Sequence, residues 1–125
     1  MPVKVVDASA LAALLFGEPE AEAIASQLAG ARLVAPPLLD YELTNVCLIK
    51  WRRHSGQRPA LEAAFRLRKR FAVERVEVDQ DSVLEMAIAT RLTAYDASYL
   101  WLARQMGAEL VTLDRQLAKA AEAIS

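Results

Sequence analysis

The sequence predicts an α/β fold: a three-layer α/β/α domain with a central parallel sheet covered by helices on both faces. Short β-branched apolar runs alternate with stretches of helical periodicity. No hairpin-type turn separates one strand from the next, so each strand must reach a parallel neighbour through a helical crossover. The 125 residues, 54% of them hydrophobic, suffice for one domain with a sizeable core.

VKVV at residues 3–6 is long enough only for a fully buried strand. Asp7 follows and can cap a helix over 8–16, which Gly17 breaks. Glu18, Pro19 and Glu20 open a second helix, with proline tolerated in the first turn and acids favourable at the positive end of the helix dipole. Gly30 closes that helix, and residues 32–35 read as the second strand. Pro36 and Pro37 stop the strand and launch a long helix over 38–53. A turn at 54–57 leads to a helix over 59–71, and 75–78 form the third strand. The helix over 80–91 carries Val83, Met86, Ala87 and Thr90 on one face. The next begins at 93–96 and ends at Gly107. The fourth strand spans 109–113, and Asp114 caps the last helix. No repeat, low-complexity segment or linker interrupts this order, so residues 1–125 read as a single domain.

Cys47, the only cysteine, forbids an intrachain disulfide and lies among Leu43, Val46, Leu48 and Ile49, which makes it a buried core thiol. Lys4 and Asp7 leave no room for a secretory apolar region, and the uncharged runs are too short to span a bilayer. The expectation is a soluble cytoplasmic protein. Net charge is −1, but residues 50–75 hold nine of the 15 basic residues and two of the 16 acidic ones. That uneven charge fits either a solvated helical hairpin or a basic arm beside an acidic site, suited to a polyanion.

Four carboxylates carry the chemistry. Asp7 and Asp114 follow the first and fourth strands, Asp96 stands at a helix start, and Glu42 lies one turn into the helix after the second strand. In an open parallel sheet these positions converge outside the carboxyl ends of the strands. Each aspartate alone reads equally as a helix cap, and capping does not exclude ligation. Glu42 shares a helical face with Leu39, Val46 and Ile49, whereas Asp40 points elsewhere, to solvent. An inward glutamate needs a partner; no lysine or arginine within one turn faces it, and a metal would satisfy it. Hard oxygen donors favour Mg²⁺ or Mn²⁺. His54 is the only histidine, which excludes a zinc site or a Ser–His–Asp triad, and no glycine-rich phosphate loop is present. Ser9, Asn45 and Thr112 flank the acids, either as ordinary backbone-bonding residues or to orient the carboxylates and a metal-bound water.

The segments VVDASAL (5–11), APPLLDYELTNV (35–46), TAYDASYLWLA (93–103) and LVTLDRQLA (110–118), each with its acid, resemble the PIN-domain ribonucleases, specifically the VapC-like toxins of type II toxin–antitoxin pairs. The resemblance covers nearly the whole chain. It implies a PIN-like sheet of four to five strands, since many relatives carry a further strand after the final helix. It implies that Asp7, Glu42, Asp96 and Asp114 are the metal-binding and catalytic quartet, with Ser9, Asn45 and Thr112 at polar positions beside it. It further implies Mg²⁺- or Mn²⁺-dependent endoribonuclease activity, a homodimer, and a small antitoxin held by the region 38–71. Arginines of 52–75 and Arg115 would hold phosphates, with Tyr95 or Trp51 stacking on a base. An acidic phosphatase or phosphoacceptor fits worse: Asp7-Ala8-Ser9 lacks an Asp-x-Asp, and no lysine follows the fourth strand. A non-catalytic RNA- or partner-binding module, its acids merely caps, is the remaining alternative; it would bind no Mg²⁺.

Overall fold

The computed structural model describes residues 1–124. Strands β1 (Val3–Val6), β2 (Arg32–Ala35), β3 (Val73–Arg75) and β4 (Glu109–Val111) form one sheet of order β3-β2-β1-β4, with every pair parallel. Helices α1 (Ala8–Leu15) and α2 (Ala21–Leu28) join β1 to β2, and α3 (Leu38–Arg53) and α4 (Arg58–Arg66) join β2 to β3. Helices α5 (Gln80–Thr90) and α6 (Ala94–Met106) lead to β4, and α7 (Arg115–Ile124) follows it.

The strand order puts the site where it is. Two crossovers step from β1 to β2 to β3 in one direction; the third returns across the sheet and sets β4 on the free side of β1. Right-handed crossovers then put α1–α4 on one face and α5–α6 on the other. The carboxyl ends of β1 and β4 thus form a switch point, the crevice where open α/β sheets take ligands. Register fixes it further: Val5 pairs with Val34 and Leu110, Val6 with Val111, and Asp7 N–H donates to Val111 O at 3.2 Å. Val5, Val6, Val34, Leu39, Leu43 and Leu117 have essentially no exposed surface. Each such side chain contributes roughly 1.5–3 kcal/mol of burial free energy, which makes the strand ends a rigid base for the side chains above them.

Several boundaries differ from those read from the sequence. The helix expected over 59–71 is α-helical only to Arg66 and tightens to a 3₁₀ turn over Leu67–Arg70. Glu62 receives both Arg58 and Arg66 at helical spacing, but Arg66 and Arg70 would stand i,i+4 with like charge. Arg68 instead turns back, donating to Phe65 O at 3.1 Å and stacking 3.9 Å from its ring. The early helix end frees Val73–Arg75 to be β3, two residues before the expected position; Val76 and Val78 pack on the core beyond it. β4 ends at Val111 because Leu113 N–H and Asp114 N–H bond the Ser9 and Thr112 hydroxyls rather than continue the ladder. Cys47 is half-buried at the α3–α4 contact, its thiol 3.8 Å from Leu61 O, and is not a core residue. Ile49 is 40% exposed, so the inward stripe of α3 ends at Val46. Asp40 is not left to water: Arg75 grips it in two bonds of 2.9 and 2.8 Å, tying the start of α3 to β3. Among the described residues no strand follows α7, and no helix is long and apolar enough to cross a membrane.

Candidate active site

Asp7 sits at the end of β1 and caps α1, its Oδ1 accepting from Ala10 N at 3.0 Å. Ser9 Oγ donates to the same oxygen at 2.8 Å, and the Thr112 hydroxyl donates to Oδ2. Thr112 and Ser9 also approach each other at 3.4 Å. These hydroxyls, one from α1 and one from the end of β4, stitch the two strand ends together around one carboxylate. Asp7 is only 5% exposed. Its pKa lies above the ordinary carboxylate value: burial outweighs the bonds from Thr112, Ala10 and Ser9, and Asp114 adds repulsion.

Asp114 follows β4 and caps α7, accepting from Leu117 N at 2.9 Å. The capping reading thus holds for two aspartates and fails for the third. Thr93 caps α6, its hydroxyl accepting from Asp96 N at 3.1 Å, so the Asp96 carboxylate has no capping duty. No described residue hydrogen-bonds or pairs with that carboxylate. Its pKa is raised by partial burial and then by Asp114 and Asp7.

Glu42 projects from α3, one position after Tyr41 and one before the buried Leu43. Its pKa is raised by burial, lowered by a bond from Tyr99, and raised again by Asp7 and Asp96. Asp7 and Asp96 thus lie within electrostatic reach of both Glu42 and Asp114 across the switch point. Lys4, Arg32, Lys50, Arg58, Arg66 and Arg75 all pair with acids outside the quartet. Among the described residues, no cation pairs with any of the four.

That donor set fits a hard divalent cation: oxygens only, with Asp7, Glu42 and Asp96 raised in pKa by burial and then by the charge of other members, and none paired with a cation among the described residues. Among the described residues no three acidic, histidine or cysteine side chains close into a ready-made metal shell. Mg²⁺ does not need one, because it keeps several waters and takes one or two carboxylates alongside substrate phosphate. The site is an open edge. A cavity of about 610 Å³ between α2, α6, β4 and α7 touches it only through Thr112.

The PIN domain model matches residues 4–123. The chain belongs to the PIN-domain family. Among PIN-domain relatives, Ribonuclease VapC9 of Mycobacterium tuberculosis is 36% identical over 124 residues, covering 95% of this chain and 91% of that one. Ribonuclease VapC3 of Pyrobaculum aerophilum is 33% identical over 120 residues, covering 92% of each. The crystal structure of PAE2754 from Pyrobaculum aerophilum superposes with a TM-score of 0.77 at 28% identity, over 98% of this chain and 92% of that one.

Of the other residues singled out in this PIN domain, Ser9 and Thr112 join Asp7 directly. Asn45 is exposed, and no described residue bonds its amide. Tyr95 is 64% and Trp51 36% exposed, and Arg58 lies 5.9 Å above the Trp51 ring. The sequence reading missed Tyr99. It is 1% exposed, yet its phenol donates to Glu42 Oε1 at 2.6 Å. The signal was its place three residues after Asp96, on the same face of α6. Burial and the nearby Glu42 charge push the phenol far above its usual pKa, so it remains a donor.

Proposed function

We propose that residues 1–125 act as one PIN-like domain, an Mg²⁺- or Mn²⁺-dependent endoribonuclease that serves as the toxin of a toxin–antitoxin pair in the cytoplasm. The ribonuclease names of the VapC relatives support the reaction class. The observation that supports the site assignment is that, among the described residues, none of the four carboxylates is paired with a cation, whereas nearby acids outside the set, such as Asp40 with Arg75, are.

Asp7, Asp96 and Asp114 would hold the ion through their oxygens. Glu42 either joins them or orients the attacking water. When bound, the ion activates water and neutralises charge on the phosphodiester. The water oxygen attacks phosphorus in line with the leaving ribose oxygen, which departs with a proton. Ser9 and Thr112 fix the Asp7 oxygens without neutralising them, and Asn45 lies one turn beyond Glu42 to bond a water.

Arg52, Arg53, Lys69 and Arg70 are exposed and have no carboxylate partner among the described residues, so they suit RNA phosphates flanking the cut. Arg115, beside Asp114, extends that role, while Tyr95 and Trp51 offer rings to bases. The α3–α4 hairpin is the surface for a small antitoxin and for contacts in a homodimer. The test uses Asp96→Asn, because the wild-type carboxylate holds no structural bond. Wild-type protein should cut RNA with Mn²⁺ and not in EDTA; the variant should unfold at the wild-type temperature and cut nothing. Cleavage in EDTA, or by the variant, overturns the proposal.

A further inference from the structure

We infer that Tyr99 is a positioning residue of the metal site, a buried phenol that holds the Glu42 carboxylate at the distance and angle at which it faces Asp7 and Asp96. The inference rests on the proposed reading of the quartet and goes beyond it to a residue outside the acids.

Glu42 is the one member of the four borne by a long side chain, with one more rotatable bond than an aspartate. Asp7 and Asp114 are fixed by backbone amides at helix starts. Glu42 leaves the middle of a helix turn, where no free amide is available. Its one hydrogen bond among the described residues is from Tyr99 Oη, at 2.6 Å. That donor is itself immobile. Its ring is 1% exposed in the hydrophobic core, and its helix packs on β1 and β4. It also stands one turn beyond Asp96 on α6, so the backbone that carries Asp96 carries the group that orients Glu42. Two ligands from different layers of the fold are thereby set relative to each other by one phenol.

A hydroxyl is suited to this task. It supplies the hydrogen bond that a half-buried carboxylate needs and brings no charge to compete with a cation. Lysine or arginine in its place would satisfy Glu42 and fill the ion's position. A buried tyrosine with no role at the site needs only some acceptor, and a backbone carbonyl would have served as well. Here the acceptor is a quartet member.

The experiment measures Mn²⁺ affinity directly, by titration calorimetry in the absence of RNA, for wild type, Tyr99→Phe, Glu42→Asp and the double variant. Tyr99→Phe preserves the buried ring and should weaken Mn²⁺ binding by about 10-fold, as loss of an orienting bond to a metal ligand does. Its melting temperature without metal should stay within a few degrees of wild type. Glu42→Asp keeps the charge but shortens the side chain out of reach of Tyr99, and should lose a similar factor. Adding Tyr99→Phe to it should then change little, because the interaction is already gone. Tyr41→Phe, at an exposed tyrosine one position before Glu42, should bind as wild type.

Unchanged affinity in Tyr99→Phe overturns the inference while leaving the metal site standing. So does a full further 10-fold loss on the Glu42→Asp background, since Tyr99 would then act through something else. If Tyr99→Phe does not fold, unaltered affinity in Glu42→Asp alone overturns it. Wild-type protein that binds no Mn²⁺ overturns the reading of the quartet, and this inference with it.

Discussion

Asp7 caps α1 and, in the proposed function, binds the metal; two substitutions separate these roles. As a cap it accepts from Ala10 N at 3.0 Å and Ser9 Oγ at 2.8 Å, with Thr112 on the other oxygen. Asparagine keeps an oxygen in the Oδ1 position and so retains the cap, while its amide faces the Thr112 hydroxyl, which must turn from donor to acceptor there as the charge is lost. Alanine forfeits the cap, about 1 kcal/mol. It also leaves the hydroxyls of Ser9 and Thr112 facing a gap, about 1–3 kcal/mol more. For a domain of this size each kcal/mol moves Tm by about 3–5 °C, so Asp7→Ala should melt roughly 6–20 °C below wild type. Asp7→Asn should melt within about 5 °C of wild type in EDTA at pH 7, and on the higher side, because burial and Asp114 make the charge unfavourable. With Mn²⁺ both should lose RNA cleavage by about 100-fold or more, since on the proposed function each removes an anionic ligand. Scanning calorimetry in EDTA and cleavage of a fluorescent RNA with Mn²⁺ give the two readouts. The reasoning fails if Asp7→Asn melts as low as Asp7→Ala, or if it cuts RNA at the wild-type rate.

Stability should depend on pH in a direction set by the same acids. Asp7, Glu42 and Asp96 have raised pKa values, so above the ordinary carboxylate range the folded chain holds more protons than the unfolded one. Stability in EDTA therefore falls as pH rises through that window toward neutrality. Asp40 works the other way: its pKa is lowered by Arg75, and its contribution disappears only as pH drops through that depressed value. Urea titrations between pH 4 and 7 should show the decline and its removal by Mn²⁺; a steady rise in EDTA would contradict it. Replacing Arg52, Arg53, Lys69 and Arg70 by alanine should leave Tm unchanged, as all four are exposed. On the Asp96→Asn background, where RNA survives, it should reduce the salt slope of RNA binding by up to about 3, at roughly 0.7 per phosphate contact. An unchanged slope would place RNA elsewhere.

The elements that position the site were legible because their signals are local. VKVV and RLVA are too short and too apolar to be anything but buried strands, and Pro36-Pro37 sets the start of α3. The boundaries that moved depend on contacts between distant residues. β3 shifts because Arg75 reaches Asp40, 35 positions away, and β4 ends early because Ser9, over a hundred positions away, bonds Leu113. The acids at strand ends were visible for the same reason as the strands. What remained hidden was which of them serve as caps. Thr93 and Asp96 both stand at the start of α6, and only the backbone shows that Thr93 takes the cap and leaves Asp96 free. Tyr99 was hidden more deeply, because an aromatic at helical spacing reads as core. It is core, and only the third dimension brings the Glu42 carboxylate to its hydroxyl.

If the site exists to leave room for a cation, then supplying one covalently should stabilise the protein and disable it. Asn45 is the place to try. It is exposed, lies three residues after Glu42 on α3, and accepts no bond whose loss would confuse the result. A lysine there reaches the Glu42 carboxylate at i,i+3 spacing and relieves its repulsion by Asp7 and Asp96. Pairs of this kind are worth about 0.3–0.5 kcal/mol in a solvated helix, so the expected rise in Tm in EDTA is about 1–3 °C. Mn²⁺ affinity should fall by about 10-fold or more, because the ammonium occupies the region the ion needs and repels it. Asn45→Ala separates charge from the lost amide: it should bind Mn²⁺ within a few-fold of wild type. If Asn45→Lys binds Mn²⁺ as wild type does, Glu42 does not face the ion. If Asn45→Ala is equally impaired, the amide itself holds the site together and the missing cation is not what defines it.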